Sequence, residues 1–341
     1  MNIGNIILRH GLILAPMAGV TDRTFRRICR EFGAEYTVSE MVSAKALCYE
    51  QRAKRKEYSS SATADLAGVF KEDLPMAVQL FGREPEFMAE AARMIAEGSY
   101  RNRIGDAIPS AIDINMGCPV RKITSNGEGS ALMKDPRHAG NVARAVCEAV
   151  DIPVTVKIRA GWDSSSVNAP EMAKILEDAG VSAICVHART KEQLYTPGID
   201  MGVIEKVKNA VSIPVIGNGD IYSSADALKM ITSTGCDGVM AGRGAMGNPW
   251  LFDEISAALD GREYISPSFE EKLTLAKRQL REMIEEHGER VGIAEAKKHM
   301  AWYISGMKGC AAARSNIMTS VGAEEIEAVL DGLLDAQDKS L

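Results

Sequence analysis

The stretch IDINMGCPVRK, residues 112–122, sets a thiol, Cys118, between a glycine and a proline at the end of an apolar run. Free cysteine is usually a small buried hydrophobe. This one falls in a polar, loop-like stretch (NMGCPVRKITSNGEGSALM) with Arg121 and Lys122 close by, the setting of an accessible thiol near positive charge. Three states stay open for it: inert and buried, nucleophile, or a thiol of near-normal pKa that donates a proton. Spacing alone assembles no Cys–His–Asn set, so the residues themselves lead as far as a reactive thiol and no further.

Other polar residues recur in the same kind of place. Pro16-Met17-Ala18, Glu40, Gln79, Asn115, Lys157 with Arg159, His187 with Arg189, Asn218-Gly219-Asp220 and Gly242-Arg243 all close or follow apolar runs. Packing does not explain so many amide, amine, imidazole and guanidinium endings; a ligand site does. Lys157 could pair with Asp113 or Glu40, form a Schiff base, or face an electron-rich cofactor. His187 and Arg189 fall on the same face of a strand, which suits an anionic ligand, although a satisfied core histidine is the bland alternative. Gln79 could cap a strand or read the N–H and C=O edge of a heterocycle. IGNGD and AGRGAMG combine glycines, which let backbone N–H groups approach an anion, with the fork of Arg243. They predict a phosphate site.

The elements that must position these residues are short apolar runs separated by helical patterns. The runs are 12–16, 36–40, 76–82, 111–116, 153–158, 183–188, 214–219 and 238–242. Near-continuous apolar strands alternating with helices imply a parallel sheet covered by helices. Eight such units within about 250 residues predict an α/β fold of the (β/α)8 TIM-barrel type. An open doubly wound sheet would carry a G-x-G-x-x-G after the first strand, and APMAGVTDRTF has none. In these barrels, polar residues at the C-terminal ends of strands form the site, and the loops after strands seven and eight commonly hold phosphate. GREYISPS, residues 261–268, reads as a linker. The division is a catalytic barrel over 1–262 and a small all-helical domain over 268–341.

Charge and cysteine usage narrow the classes. The 341-residue chain carries a net charge of −6, against a general nucleic-acid binder. Its seven cysteines have irregular spacings and no C-x-x-C, so neither a disulfide framework nor a zinc or iron–sulfur site is expected. No segment approaches a signal peptide or a membrane span, and the expectation is a cytoplasmic protein with reduced thiols, without a metal or an obligate protein partner. Two segments run against the acidic balance. Residues 290–318 hold Arg290, Lys297, Lys298, Lys308 and Arg314 against Glu295, together with Trp302 and Tyr303; residues 45–56 hold five basic side chains against one acidic. A solvated helix face is the bland reading; basic residues with aromatics suit an RNA backbone.

APMAGVTDRTFR, QLFG, DINMGCPVRKI, GSALMKDP, VKIRAGW, VHART and IPVIGNGDI…GCDGVMAGRGAMGNPWLF resemble, in order, the flavin-dependent tRNA-dihydrouridine synthases. KKHMAWYISGMKGCAAARSNI is similar to the helical domain of the bacterial B-type branch. Two stretches depart from the family pattern: GSYRNRIGDAIPSA is longer, and GEGSALM stands where an alanine-rich run is common. The resemblance implies an FMN-containing barrel with a C-terminal tRNA-binding domain. It implies that Pro16, Met17 and Ala18 line the isoalloxazine and that Gln79 and Lys157 meet its polar edge. Asn218, Gly219, Asp220, Gly242 and Arg243 would take the ribityl phosphate, with His187 nearby, and Asn115 and Arg189 would hold the uracil. Lys297, Lys298, Lys308 and Arg314 would track the tRNA backbone. NADPH or NADH would reduce FMN, the flavin N5 would deliver hydride to C6 of a D-loop uridine, and Cys118 would protonate C5 as a general acid. The competing functions are a dihydroorotate dehydrogenase-like enzyme on a free pyrimidine, a flavin-free aldolase using Lys157, and a non-catalytic tRNA binder or chaperone.

Overall fold

The computed structural model describes residues 1–53, 65–98 and 105–338. Lys54, Arg55 and Lys56 of the second basic segment lie outside the described residues, as does part of the long GSYRNRIGDAIPSA stretch.

A two-stranded hairpin, β1 (Asn2–Ile3) and β2 (Ile6–Ile7), precedes eight barrel strands. These are β3 (Leu12–Leu14), β4 (Tyr36–Ser43), β5 (Met76–Phe81), β6 (Ala111–Met116), β7 (Val154–Gly161), β8 (Ala183–Thr190), β9 (Val215–Asn218) and β10 (Gly238–Ala241). They pair in parallel in the closed order β10-β3-β4-β5-β6-β7-β8-β9. All eight expected runs form strands, and the sheet closes as the barrel reading requires.

Period-two alternation divides each strand between two cores. The outward set, including Leu12, Leu14, Val42, Val78, Ile112, Ile114, Val154 and Val156, packs under the helices. The inward set at the lower end is small or apolar: Ile13, Val38, Ala77, Ala111, Ala183 and Ile216. Ile3, Ile6 and Leu8 join this inner cluster, so the hairpin stops the N-terminal mouth of the barrel.

The barrel helices are α1 (Arg23–Glu31), α2 (Ala44–Ala53), α3 (Pro85–Ala96), a single turn α4 (Arg121–Thr124), α5 (Pro136–Cys147), α6 (Ala169–Asp178), α7 (Met201–Lys208), α8 (Ser224–Thr234) and α9 (Leu251–Asp260). Local chemistry sets their ends. Asp22 caps α1, Asp135 followed by Pro136 opens α5, and Ser223 opens α8. Gly180, at φ 98°, terminates α6 in the left-handed region.

Residues 262–268 carry no regular structure. Four helices follow: α10 (Phe269–His287), α11 (Glu289–Tyr303), α12 (Cys310–Thr319) and α13 (Ala323–Asp338). A capping box between Ser268 and Glu271 starts α10. The helices share a core of Leu273, Leu280, Met283, Met300, Ile317 and Leu330, into which the barrel inserts Ile28 and Trp250. Ion pairs Arg27–Glu282 at 3.0 Å and Arg278–Glu31 at 2.5 Å tie α10 to α1.

Candidate active site

Following the inward face of each strand upward, small apolar residues give way to polar ones at the C-terminal mouth. Ala77 is succeeded by Gln79, Ala111 by Asp113 and Asn115, Thr155 by Lys157 and Arg159, Ala183 by Cys185, His187 and Arg189, and Ile216 by Asn218. The barrel register sets Gln79 opposite Asp113, Asn115 opposite Lys157, Arg159 opposite His187 and His187 opposite Asn218. One alternation therefore assembles side chains from five strands into a ring.

Above the ring lies a cavity of about 490 Å³. Its walls include Pro16, Met17, Ala18, Gln79, Asn115, Cys118, Lys157, His187, Asn218, Gly219, Asp220, Gly242 and Arg243. Thirteen of the fourteen residues assigned to cofactor, uracil or proton transfer thus share one cavity. Arg189 is not among the lining residues. It is 1 % exposed, donates from Nε to the Thr196 carbonyl and from a terminal nitrogen to Asp220 at 2.5 Å, and lies behind the wall. Arg159, two residues past Lys157, lines the cavity instead.

Cys118 is half-buried on the turn after β6. The Asn115 side-chain oxygen accepts the backbone N–H groups of Gly117 at 3.1 Å and Cys118 at 2.9 Å. Arg159 Nε donates to the Gly117 carbonyl at 2.8 Å, and Ser130 N donates to the Cys118 carbonyl at 3.0 Å. Gly129, at φ 59°, is needed there, because a Cβ would lie 2.9 Å from the Cys118 carbonyl oxygen. Burial pushes the thiol pKa up, against a smaller opposing pull from the Val120 amide and from Arg159 and Lys157. The thiol therefore stays protonated at neutral pH.

Lys157 donates to Asn218 Oδ1 at 2.8 Å, and Asn218 Nδ2 donates to the Met240 carbonyl at 2.7 Å. Neither Asp113 nor Glu40 takes its ammonium in a salt bridge among the described residues; Glu40 instead accepts from Gly19 N at 2.5 Å. Burial pulls the Lys157 pKa down. His187 is pushed far below its ordinary value by burial and by the cations of Lys157, Arg159, Arg189 and Arg243, so the imidazole is neutral. An arginine can only donate. The 3.4 Å approach of Arg189 to His187 Nε2 therefore leaves the imidazole proton on Nδ1.

The two glycine turns meet at the far end of the cavity. Asp220 takes a left-handed φ of 47° after Gly219 at φ 125°. Its carboxylate bridges Arg189 and Arg243, the latter at 3.1 Å, and Tyr195 and Tyr222 flank the Arg243 guanidinium at 4.6 and 5.7 Å. A Cβ on Gly242 would meet Ala15 and Met17 at 3.4 Å, and one on Gly219 would meet Ile199 at 2.9 Å. Apolar walls from Pro16 to Ala18, a polar edge at Gln79 and Lys157, and a cationic glycine cradle fit a flat heterocycle carrying a phosphate tail. Sequence reasoning grouped Arg159 with Lys157 at a strand end but gave it no role, and it passed over Met41, Tyr195 and Tyr222, for which the sequence carries no such signal.

No cluster of His, Cys, Asp and Glu among the described residues could hold a metal ion, and no described helix is long and apolar enough to cross a membrane. Of the basic residues at 290–318, Lys298 is half-buried at the barrel mouth, its Nζ 3.7 Å from where a Gly19 Cβ would stand. Lys297 donates to the Met318 carbonyl at 3.1 Å, while Lys308 and Arg314 are exposed.

A family model described as dihydrouridine synthase (Dus) matches residues 13–339. A probable tRNA-dihydrouridine synthase of Rickettsia conorii is 43 % identical over 319 residues, covering 93 % of this chain and 91 % of that protein. The tRNA-dihydrouridine synthase B of Pseudomonas aeruginosa is 41 % identical over 310 residues, covering 91 % and 88 %. Among solved structures, the crystal structure of TcOYE with pHBA superposes with a TM-score of 0.50 at 14 % identity, covering 78 % of this chain and 92 % of that one. That last likeness is one of fold.

Proposed function

Because this chain belongs to the dihydrouridine synthase family, we propose that it reduces the C5–C6 double bond of D-loop uridines in tRNA to 5,6-dihydrouridine, with FMN in the barrel mouth and NADPH or NADH as reductant. The observation that carries this reading is the meeting, in one cavity, of a protonated thiol, a polar edge built by Gln79 and Lys157, and a cationic glycine cradle. When bound, FMN would supply the hydride chemistry that the reduction of the uracil requires.

The chain's own residues do the rest. Pro16, Met17 and Ala18 give the ring an apolar face to lie on. Gln79 spends one amide N–H on Asp113 and keeps the other for the ring edge. Lys157, held by Asn218, offers positive charge beside that edge, which favours electron-rich states of a flavin. Gly219, Gly242 and Arg243 take the phosphate, and Asp220 holds Arg243 in place. His187, neutral and donating from Nδ1, contributes a hydrogen bond without adding charge.

Cys118 gives its proton to C5 on the face of the uracil away from the flavin, and solvent restores it. The uridine must leave its stack to lie flat in the cavity, which costs a few kcal/mol and is least in a flexible loop. Asn115 and Arg159 are the side chains able to meet the uracil edge; Arg189, behind the wall, supports Asp220. Lys298, at the mouth, together with Lys297, Lys308 and Arg314 farther out, forms the tRNA-facing side of the helical domain. The site of action is the cytoplasm.

The test pairs two measurements. Purified protein should carry flavin absorbance, and mass-spectrometric mapping of tRNA from cells lacking the gene should show dihydrouridine lost at defined positions. A flavin-bearing protein that turns over a free pyrimidine and leaves the tRNA map unchanged, with no paralogue covering for it, would overturn the assignment.

A further inference from the structure

Trp162 follows the last residue of β7, on the C-terminal rim of the barrel, and is half-buried. The ammonium of Lys134 lies 4.2 Å from the centre of its indole, and that of Lys191 lies 4.5 Å from it. One ring thus holds two cations in cation–π contact, no farther apart than those two distances laid end to end. The loops that carry them are stitched together. Lys191 N donates to the Gly161 carbonyl at 3.0 Å, and Glu192 N to the Trp162 carbonyl at 3.1 Å. Asn168 Nδ2 donates to the Met133 carbonyl at 2.7 Å, which ties the loop after β7 to the turn Gly129–Lys134.

Two like charges on one ring repel each other, and nothing nearby offsets them. No carboxylate among the described residues lies within ion-pair distance of either ammonium. Even Glu192, next to Lys191 in sequence, is not among its partners. The other neighbouring acids are engaged in their own loops. Asp135 accepts from His138 N at 3.0 Å, and Asp163 accepts from Ser165 N and Ser166 Oγ, each at 2.9 Å. Arg121 and Lys122, exposed on α4 just after the Cys118 turn, also have no ion pair among the described residues. The rim over β6, β7 and β8 is therefore basic in a chain of net charge −6. The indole fixes the two ammonium groups without neutralising them, which leaves both charges to an anion.

We propose that Lys134, Trp162 and Lys191 form a phosphodiester clamp for tRNA on the barrel itself, across the mouth from Lys298. The identity of the ligand rests on the synthase reading. In the closed strand order β3 and β7 stand four places apart among eight strands, on opposite sides of the mouth. Lys298 stands beside the loop after β3, Trp162 follows β7, and the cavity lies between them. A uridine turned into that cavity leaves its backbone running away on either side, so phosphates pass both rims. An ammonium is a point charge suited to a phosphate oxygen, and the indole offers a stacking face to an unpaired base. An acidic protein segment would meet the same charges, but nothing brings one to the mouth of a site that must admit tRNA.

Titration of tRNA into the flavin-loaded full-length protein over a range of salt tests the clamp. Lys134→Gln and Lys191→Gln should each weaken binding on the order of 3- to 10-fold and lower the salt slope by about one. Lys229→Gln, an equal loss of charge at an exposed position on α8, should leave both quantities near wild type. Lys134→Gln combined with Lys298→Ala should multiply the two single losses, as contacts to separate phosphates do. Should Lys191→Gln disturb its loop, Lys134→Gln decides, because Lys134 is exposed. Clamp variants that bind tRNA like the wild type, a Lys229→Gln loss equal to theirs, or a double variant no weaker than either single would each overturn the clamp and leave the synthase reading standing. So would weakened binding of NADPH but not NADH with tRNA affinity intact, which would give the cations to the extra phosphate of the reductant. A wild-type protein that binds no tRNA refutes the synthase reading and the clamp with it.

Discussion

The carboxylate of Asp22, which caps α1 at the rim of the barrel, lies 3.5 Å from Nε2 of His299, a fully buried residue of α11. Phe25 and Trp302 bracket the imidazole at 5.1 and 5.0 Å. One side chain thus serves both the first barrel helix and the seat of the helical domain.

Burial pushes the Asp22 pKa up, but His299, the Phe25 amide and Arg26 outweigh it, and the net shift is downward from 3.8. A depressed carboxylate pKa stabilises the fold fully above the unfolded value and ceases to as the pH falls through the folded one. Asp22→Ala should therefore cost about 1–2 kcal/mol at neutral pH through the cap alone, and more through the stranded His299. Urea unfolding of the variant and the wild type at neutral and acid pH should show the difference shrinking on the acid side. A constant difference would mean the carboxylate charge contributes nothing.

Cys118 is held protonated by burial. Its replacement by alanine should slow uracil reduction by ~10²–10⁴-fold, the usual worth of a general acid. Flavin content and tRNA affinity should hold. If the acid form is the working form, then with its pKa raised by burial the wild-type rate should be flat through neutral pH and decline only on the alkaline side. Single-turnover oxidation of the reduced protein by tRNA reads both effects.

The phosphate cradle separates two kinds of arginine. Arg243→Ala removes a partly exposed cation that reaches the cavity, and FMN affinity should fall ~10- to 100-fold, as expected for loss of a charge-assisted hydrogen bond. Asp220→Asn instead strands Arg189, which is 1 % exposed. Removing one partner of a buried pair costs roughly 3–5 kcal/mol. That variant should unfold at markedly lower temperature and, with Arg243 no longer held, also bind FMN more weakly. Fluorescence titration with FMN and a thermal melt distinguish the two.

Much of this site could be derived from the sequence because barrel strands alternate strictly. Gln79, Asn115, Lys157, His187 and Asn218 follow small or apolar residues at even spacing, and strand-end polarity is a local property. Arg189 shows the limit. It shares the parity of His187, yet β8 extends to Thr190 and the loop beyond it folds back, so the guanidinium meets the Thr196 carbonyl and Asp220. Parity assigns a face but not a depth. Arg159 has the same parity on β7, and there the neighbouring turn leaves it on the cavity wall. Tyr195 and Tyr222 come from loops, where no period exists to place them. The hairpin plug was missed because two-residue strands leave no alternation to detect.

The basic residues of the helical domain are not equivalent, and their differences predict a ranking. Lys298 stands beside the Pro16–Gly19 loop, where, on the proposed function, tRNA carrying a uridine into the barrel would pass. Lys297 is already engaged by the Met318 carbonyl. Arg314 is exposed on α12. Neutralising a phosphate contact weakens binding across sequences and lowers the salt slope by about one. Lys298→Ala and Arg314→Ala should each show that signature in tRNA titrations over a range of salt, whereas Lys297→Ala should show much less. Lys298→Ala alone should also lower kcat, because it borders the site. Equal effects from all three would point to a diffuse field in place of defined contacts.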